Sequence, residues 1–234
     1  MTCCIVYGNE SIAYDVIFVA RKTLAIEVLP DSRVVIKAPV GCSLDAVHSK
    51  VAKRARWIIN QLHYFRQFEP RTPVRQFIGG ETHLYLGKQF RLKVCDGSSN
   101  VVKLTRGHFR VELQNPSDTA SIKRLLLRWY AEKAKSKCIE VFEMCWPYFE
   151  RLNHVKPRIQ IRKMEKRWGS LSRNGLLTLN TDLVRAPKEC IAYVITHELC
   201  HMEHHDHGPE FYRLLEKVMP DWQKRKHKLE LALV

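Results

Sequence analysis

Near the end of the chain, Thr196-His197-Glu198-Leu199-Cys200-His201 carries the side chains best suited to chemistry. His197 and His201 are four residues apart, so on a helix of 3.6 residues per turn their imidazoles stand one above the other and can meet on one metal ion. Glu198 follows the first of them. Its carboxylate points close to the metal without having to bind it, which suits a base that takes a proton from metal-bound water. Two imidazoles leave such a site one protein ligand short. Catalytic zinc keeps three and leaves a fourth position for water, and borderline-soft Zn²⁺ favours neutral imidazole over a hard oxygen cage. His204, His205 and His207 all follow closely. His207 is the preferred third ligand, because two histidines followed by a third after five intervening residues is a known ligand spacing and Gly208-Pro209 supplies the chain reversal. Where that pattern commonly has glycine this chain has His204. The turn must then come later, and His204 or His205 stay open as alternatives.

The elements that must position these residues can be read from periodicity and turn chemistry. Pro187 should open the metal helix, with Ile191, Val194, Ile195, Leu199 and Met202 on its buried face. Residues 158–164 and 175–180 read as strands, the second entered through Arg173-Asn174-Gly175, and between them lies Glu165-Lys166-Arg167-Trp168-Gly169-Ser170. Phe211, Leu214, Leu215 and Val218 mark a last amphipathic helix, stopped by Pro220 and followed by the basic run Lys224-Arg225-Lys226. A long helix capped by Ser117 or Asp118 should run to about Trp146, with Pro147 ending or kinking it.

The earlier half reads as mostly β. Strands at 13–19, 24–28 and 34–37, with a turn at Pro30-Asp31-Ser32, are simplest as a meander. Ser43 should cap a helix over 44–68, and Pro70 and Pro73 break that pattern. Two hairpins follow, 82–86 with 90–94 around Gly87-Lys88, and 101–104 with 109–113 around Arg106-Gly107. The composition shifts at Asn115-Pro116, which places a β-rich N-terminal region at 1–115 and a catalytic domain at 116–234. No internal repeat or low-complexity tract is evident.

The whole composition bounds the partners. Lysine and arginine number 39 against 24 acids, a net charge of +15, which attracts polyanions and acidic protein surfaces. Lys50, Lys53, Arg54, Arg56 and Arg66 are interleaved with Trp57, Tyr64 and Phe65. That face could bind nucleic acid weakly and without sequence preference, or be a solvated helix face over core aromatics. Eight cysteines without a CxxC pair indicate reduced thiols rather than a disulfide scaffold or zinc knuckle. Neither a signal peptide nor an apolar run of membrane-spanning length is present, so a soluble, cytoplasmic protein without a membrane partner is expected.

Taken together, Ile161-Arg162, Lys166-Arg167-Trp168-Gly169-Ser170, Gly175, Leu179-Asn180, Pro187, the stretch from Tyr193 to His201, and His207-Gly208 with Phe211 resemble the YgjP-like, DUF45-type metallopeptidase family. Smaller landmarks at Arg21-Lys22-Thr23, Ala38-Pro39, Trp57-Ile58, Gly80-Glu81 and Leu86-Gly87 extend the likeness over nearly the whole chain. The segment His207 to Phe211 is also similar to SprT-like peptidases, relatives implicated in handling proteins on DNA, and supports His207 as third ligand. One departure is Leu171, where the family commonly has cysteine.

The resemblance implies an α+β protein with a zincin-like catalytic domain, its strand around 166–170 lying beside the metal cleft where an extended peptide could add as a further strand. Arg167 and Trp168 are then candidate substrate contacts, and Arg167 could polarise a carbonyl. The reading is a zinc metallopeptidase that hydrolyses peptide bonds through metal-activated water, with Glu198 as general base and then acid, acting on a protein or peptide substrate. Two alternatives belong to other classes. A metal-dependent nucleotide phosphohydrolase would use the positive charge but lacks a Gly-rich phosphate loop and a carboxylate cluster. A nucleic-acid or protein binding module would leave the intact HExxH unexplained.

Overall fold

Ile12, Tyr14 and Val16 alternate along one strand and are all buried, which fixes the inner face of the first sheet. The computed structural model describes residues 2–29, 31–67, 74–165 and 167–233, and the chain divides into two units, residues 1–72 and 73–233. In the first, β1 (Thr2–Tyr7) pairs antiparallel with β2 (Glu10–Val19), and β3 (Ala25–Val28) with β4 (Val34–Pro39). The hairpins join through a parallel β2–β4 pair, giving the order β1-β2-β4-β3. The expected meander is therefore corrected. Val34, Val35, Ile36 and Ala38 are all buried, in keeping with the central place of β4 between β2 and β3.

Ser43 caps α1 (Leu44–Lys53), its Oγ accepting from the Ala46 N–H at 3.3 Å. The single helix expected here is broken at Arg54 (φ −108°, ψ 5°), and α2 (Ala55–Arg66) resumes at once. The apolar stripe survives the break, since Val47, Val51, Ala55, Ile58 and Leu62 are buried against the sheet in one cluster. The expected helix end at Phe68, the breaks at Pro70 and Pro73, and Pro30 of the expected turn lie outside the described residues.

The second unit repeats that sheet topology. β5 (Thr82–Tyr85) and β6 (Lys88–Asp96) form one hairpin, β7 (Val101–Thr105) and β8 (His108–Leu113) another, and a parallel β6–β8 pair joins them as β5-β6-β8-β7. The first turn is Leu86-Gly87, one residue earlier than expected, with φ of 48° and 77°. The second, Arg106-Gly107, is where the sequence put it, with φ of 44° and 81°.

The helix α3 (Thr119–Glu150) opens where Asp118 Oδ1 accepts from the Ser121 N–H at 3.0 Å and runs through Pro147 rather than ending there. Its first half buries Ile122, Leu126, Trp129 and Tyr130 against Leu92, Phe109 and Val111. The second half buries Val141, Phe142, Trp146 and Phe149 in another cluster, with β11 (Leu176–Asn180) and α4 (Lys188–Cys200). One helix thus serves both cores, and each large side chain so buried contributes roughly 1.5–3 kcal/mol. The β5–β6 turn also donates from Leu86 N–H to Val184 and from Gly87 N–H to Arg185, at 2.8 and 2.9 Å. A Cβ on Gly87 would stand 2.6 Å from Pro187 Cγ. The hairpins between 82 and 113 therefore belong to the unit that carries α4, and the units divide at 72/73 rather than at the expected 115/116.

A three-stranded sheet β10-β11-β9 completes the unit: β9 (Arg158–Arg162) runs parallel to β11, and β10 (Gly169–Leu171) antiparallel to it on the other side. The helices α5 (Pro209–Val218) and α6 (Trp222–Leu233) follow α4. No helix among the described residues is long and apolar enough to cross a membrane.

Helix α6, which no apolar periodicity marks, carries a titratable group with a measurable consequence. Burial raises the Glu230 carboxyl to about 7, and Lys226 stands only at 4.0 Å. A carboxyl raised in the folded state above its unfolded value of about 4.3 destabilises the fold as pH rises between the two. With a discount of about half for the partial exposure of this side chain, Glu230→Gln should therefore stabilise the protein by on the order of 2 kcal/mol at pH 8 and by almost nothing at pH 4. Urea unfolding at the two pH values checks it, and an equal effect at both would refute it.

Candidate metal centre

The helix α4 is apolar nearly all round, with Cys190, Ile191, Val194, Ile195, Leu199 and Cys200 buried, so packing on every side fixes its rotation. That rotation places His197 and His201 side by side at one edge, their ring centroids 5.3 Å apart. The chain then turns, Gly208 precedes α5, and Pro209 occupies its first turn. This return brings His207 to 5.0 Å from His197 and 4.7 Å from His201, again between centroids. All three rings rest on Phe211, which is fully buried, at 5.0, 4.7 and 4.8 Å.

Among the described residues, the group that could hold a metal ion is His197, His201 and His207, one nitrogen from each lying within 4.8 Å of the others. The two alternatives serve otherwise. The carbonyl of His204 faces His201 Nδ1 at 2.9 Å, and His205 Nδ1 faces the carbonyl of His201 at 3.1 Å. The first contact makes Nδ1 of His201 the protonated nitrogen and leaves its Nε2 lone pair free, as metal ligation requires.

The donors fit a cation. Nε2 of His197 and Nε2 of His207 stand 3.0 Å apart, close to the ~3.3 Å that two imidazole nitrogens show on a tetrahedral ion with bonds of about 2.0–2.1 Å. Burial, reinforced by the neighbouring His201 and His207, pushes His197 down to about 4, and burial likewise lowers His207. Two neutral imidazole nitrogens this close need either a shared N–H or a positive centre between them, and a cation among the three rings meets that need. Neutral nitrogen donors without a carboxylate suit zinc better than magnesium or calcium.

Glu198 sits beside this group and is buried. Burial raises its carboxyl to about 7, against the opposing pull of a hydrogen bond from the Leu171 N–H and of the Arg167 charge. The main chain of β10 supplies that bond, so it does not depend on the side chain at Leu171. Gly169 lets the strand come this close. A Cβ there would stand 2.8 Å from Glu198 Cγ and 3.0 Å from its Oε1 and from Val194 Cγ1. Gly169→Ala should thus displace the carboxylate or the strand and cost about 10²-fold in turnover, with metal content unchanged, since a misplacement near 1 Å has that scale. Steady-state kinetics beside elemental analysis test this, and unchanged turnover would remove Gly169 from the account.

A cleft of about 780 Å³ lies over these groups, lined by Arg167 to Arg173, by Tyr193 and Met202, and by the three histidines and Glu198. Arg167 is exposed at its rim and Trp168 is half-buried, packed against the core beneath. Lys166, quoted with them in the sequence, lies outside the described residues. Asn180 orders this loop, a role the sequence did not disclose. Its Nδ2 donates to the carbonyls of Met164 and Arg167 at 2.7 and 2.9 Å, and its N–H donates to Trp168 at 2.9 Å. His154, also unforeseen, reaches the cleft from the end of α3 and pairs with Glu203 at 2.6 Å. Cys200 is buried in the core, with its thiol raised to about 12, and takes no part in the cleft.

The family model described as YgjP-like, metallopeptidase domain, matches residues 22–232. No curated protein matches the chain. Among solved structures, the metallopeptidase zymogen jannalysin of Methanocaldococcus jannaschii is 23% identical over 43% of this chain and 90% of its own, with a TM-score of 0.34. The metallopeptidase zymogen abylysin of Pyrococcus abyssi is 22% identical over 39% and 90%, with a TM-score of 0.35.

Proposed function

The chain belongs to the YgjP-like metallopeptidase family, and from that premise we propose that it is a zinc peptidase cleaving extended or unfolded protein segments in the cleft above His197, His201 and His207. The observation that carries this reading is the convergence of three imidazoles beside a buried carboxylate, next to a strand edge. Held by the three histidines, zinc would supply an acidified water and polarise the amide carbonyl.

The remaining steps fall to the chain's own residues. Glu198, fixed by the Leu171 N–H and by the absence of a side chain at Gly169, accepts the proton from the attacking water and passes it to the leaving amine. A carboxyl raised by burial exchanges protons near neutrality more readily than an exposed one. β10 is an edge strand; Glu198 takes its Leu171 N–H, and the outer backbone groups that remain would hold an extended substrate by main-chain hydrogen bonds largely independent of its sequence. Arg167 and Trp168, held by Asn180, flank that path.

Digestion of a peptide library by the zinc-loaded protein, with nucleoside triphosphates assayed in parallel, separates this reading from phosphohydrolysis. Peptide cleavage abolished by chelation and restored by zinc is expected. Metal-dependent release of phosphate or pyrophosphate without peptide cleavage would replace the peptidase with a nucleotide hydrolase.

A further inference from the structure

The residue 1–72 unit carries a feature that peptide hydrolysis does not use. Lys50, Arg54 and Trp57 fall at helical spacings of four and three, and despite the break at Arg54 all three line one concavity of about 310 Å³ with Leu24 and Ile26. A second concavity, of about 340 Å³, shares Leu24 and Lys50 with it and adds Lys53. Trp57 is 42% exposed, a large apolar surface to leave in water, while Ile58 beside it is fully buried and carries the packing of α2. Among the described residues, no carboxylate lines either concavity. Lys50, Lys53 and Arg54 form no ion pair among the described residues, whereas Lys37 and Arg33 of the same unit are paired with Glu27 and Asp31.

We propose that this groove between β3 and the α1–α2 helices binds single-stranded nucleic acid, with a base stacked on Trp57 and phosphates held by Lys50, Lys53 and Arg54. An indole flanked by unpaired cations over an apolar floor matches a chain that alternates aromatic faces with negative charges. A duplex keeps its bases stacked internally and offers the indole no face. An acidic peptide would satisfy the cations but make no use of the indole as a stacking platform. Of the five cations and three aromatics interleaved between Lys50 and Arg66, the groove brings together Lys50, Lys53, Arg54 and Trp57.

Fluorescence anisotropy of the intact protein with a labelled 12-nucleotide single strand and with the matching duplex, across a salt series, tests the proposal. The single strand should bind more tightly, with a slope of log K against log salt near about −2 for three phosphate contacts. Trp57→Ala should weaken binding by about 5- to 150-fold at unchanged slope, and Trp57→Phe should retain most of it. Lys50→Gln and Arg54→Gln should each flatten the slope by about 0.7. Equal affinity for strand and duplex, indifference to Trp57→Ala, or displacement by polyglutamate at matched charge concentration would each overturn the proposal, the last in favour of an acidic protein partner. The lysine and arginine variants, being exposed, keep the test open if Trp57→Ala fails to fold.

Discussion

Glu198→Gln should lower peptide turnover by roughly 10⁴-fold or more while zinc and folding are retained. Glutamine keeps the shape of the side chain and can still meet the Leu171 N–H through its carbonyl oxygen, so β10 and Gly169 have no reason to move. What it loses is the ability to accept a proton. A single positioned acid or base is worth about 10² to 10⁴ in rate, and Glu198 is asked to serve in both capacities, first towards the water and then towards the amine. Burial favours the neutral amide over the carboxylate, so the variant should be at least as stable as the wild type in thermal unfolding. Turnover within tenfold of wild type would mean that another group takes the proton.

His201→Ala and His207→Ala should each lose most of the bound zinc and all measurable turnover, whereas His204→Ala and His205→Ala should keep both. The first pair removes a nitrogen from the only convergent donor set among the described residues. The second pair does not: the His204 contact to His201 is made by a main-chain carbonyl that alanine retains, and His205 is exposed, with its ring turned to the His201 carbonyl. Binding to the folded state alone also stabilises it, by about 2.7 kcal/mol when free metal is 100 times its dissociation constant. Chelation should therefore lower the unfolding midpoint of the wild type and leave that of His207→Ala where it is. Loss of zinc from His204→Ala with retention in His207→Ala would reverse the assignment of the third donor.

Those parts of the site that lie close together in sequence were legible there. His197, Glu198 and His201 share one helical turn, and His207 follows within a single reversal, so spacing alone brings them together. Ser43, Asp118 and the Arg106-Gly107 turn were equally local signals, and each stands where it was expected. The resemblance put a strand around 166–170 beside the cleft, but its grip on Glu198 was hidden, because Gly169 and the Leu171 N–H reach the carboxylate from about thirty residues away and nothing periodic links them. Asn180 read as the end of a strand, although its side chain orders the rim loop. The parallel pairs β2–β4, β6–β8 and β9–β11 were invisible for a similar reason. Parallel neighbours are joined by crossovers, and no turn signal marks them. The helix α6 was missed because it buries little beyond Leu229, and Lys224-Arg225-Lys226 dilutes any stripe. The break at Arg54 needs neither glycine nor proline, so composition could not place it.

The most direct test is anomalous diffraction at the zinc absorption edge on crystals of the zinc-loaded protein. One peak is predicted, at about 2.0–2.1 Å from Nε2 of His197, of His201 and of His207, with the Glu198 carboxylate beside it but beyond bonding distance. A peak held by His204 or His205, or no ordered peak among the three rings at full zinc occupancy by elemental analysis, would contradict the account.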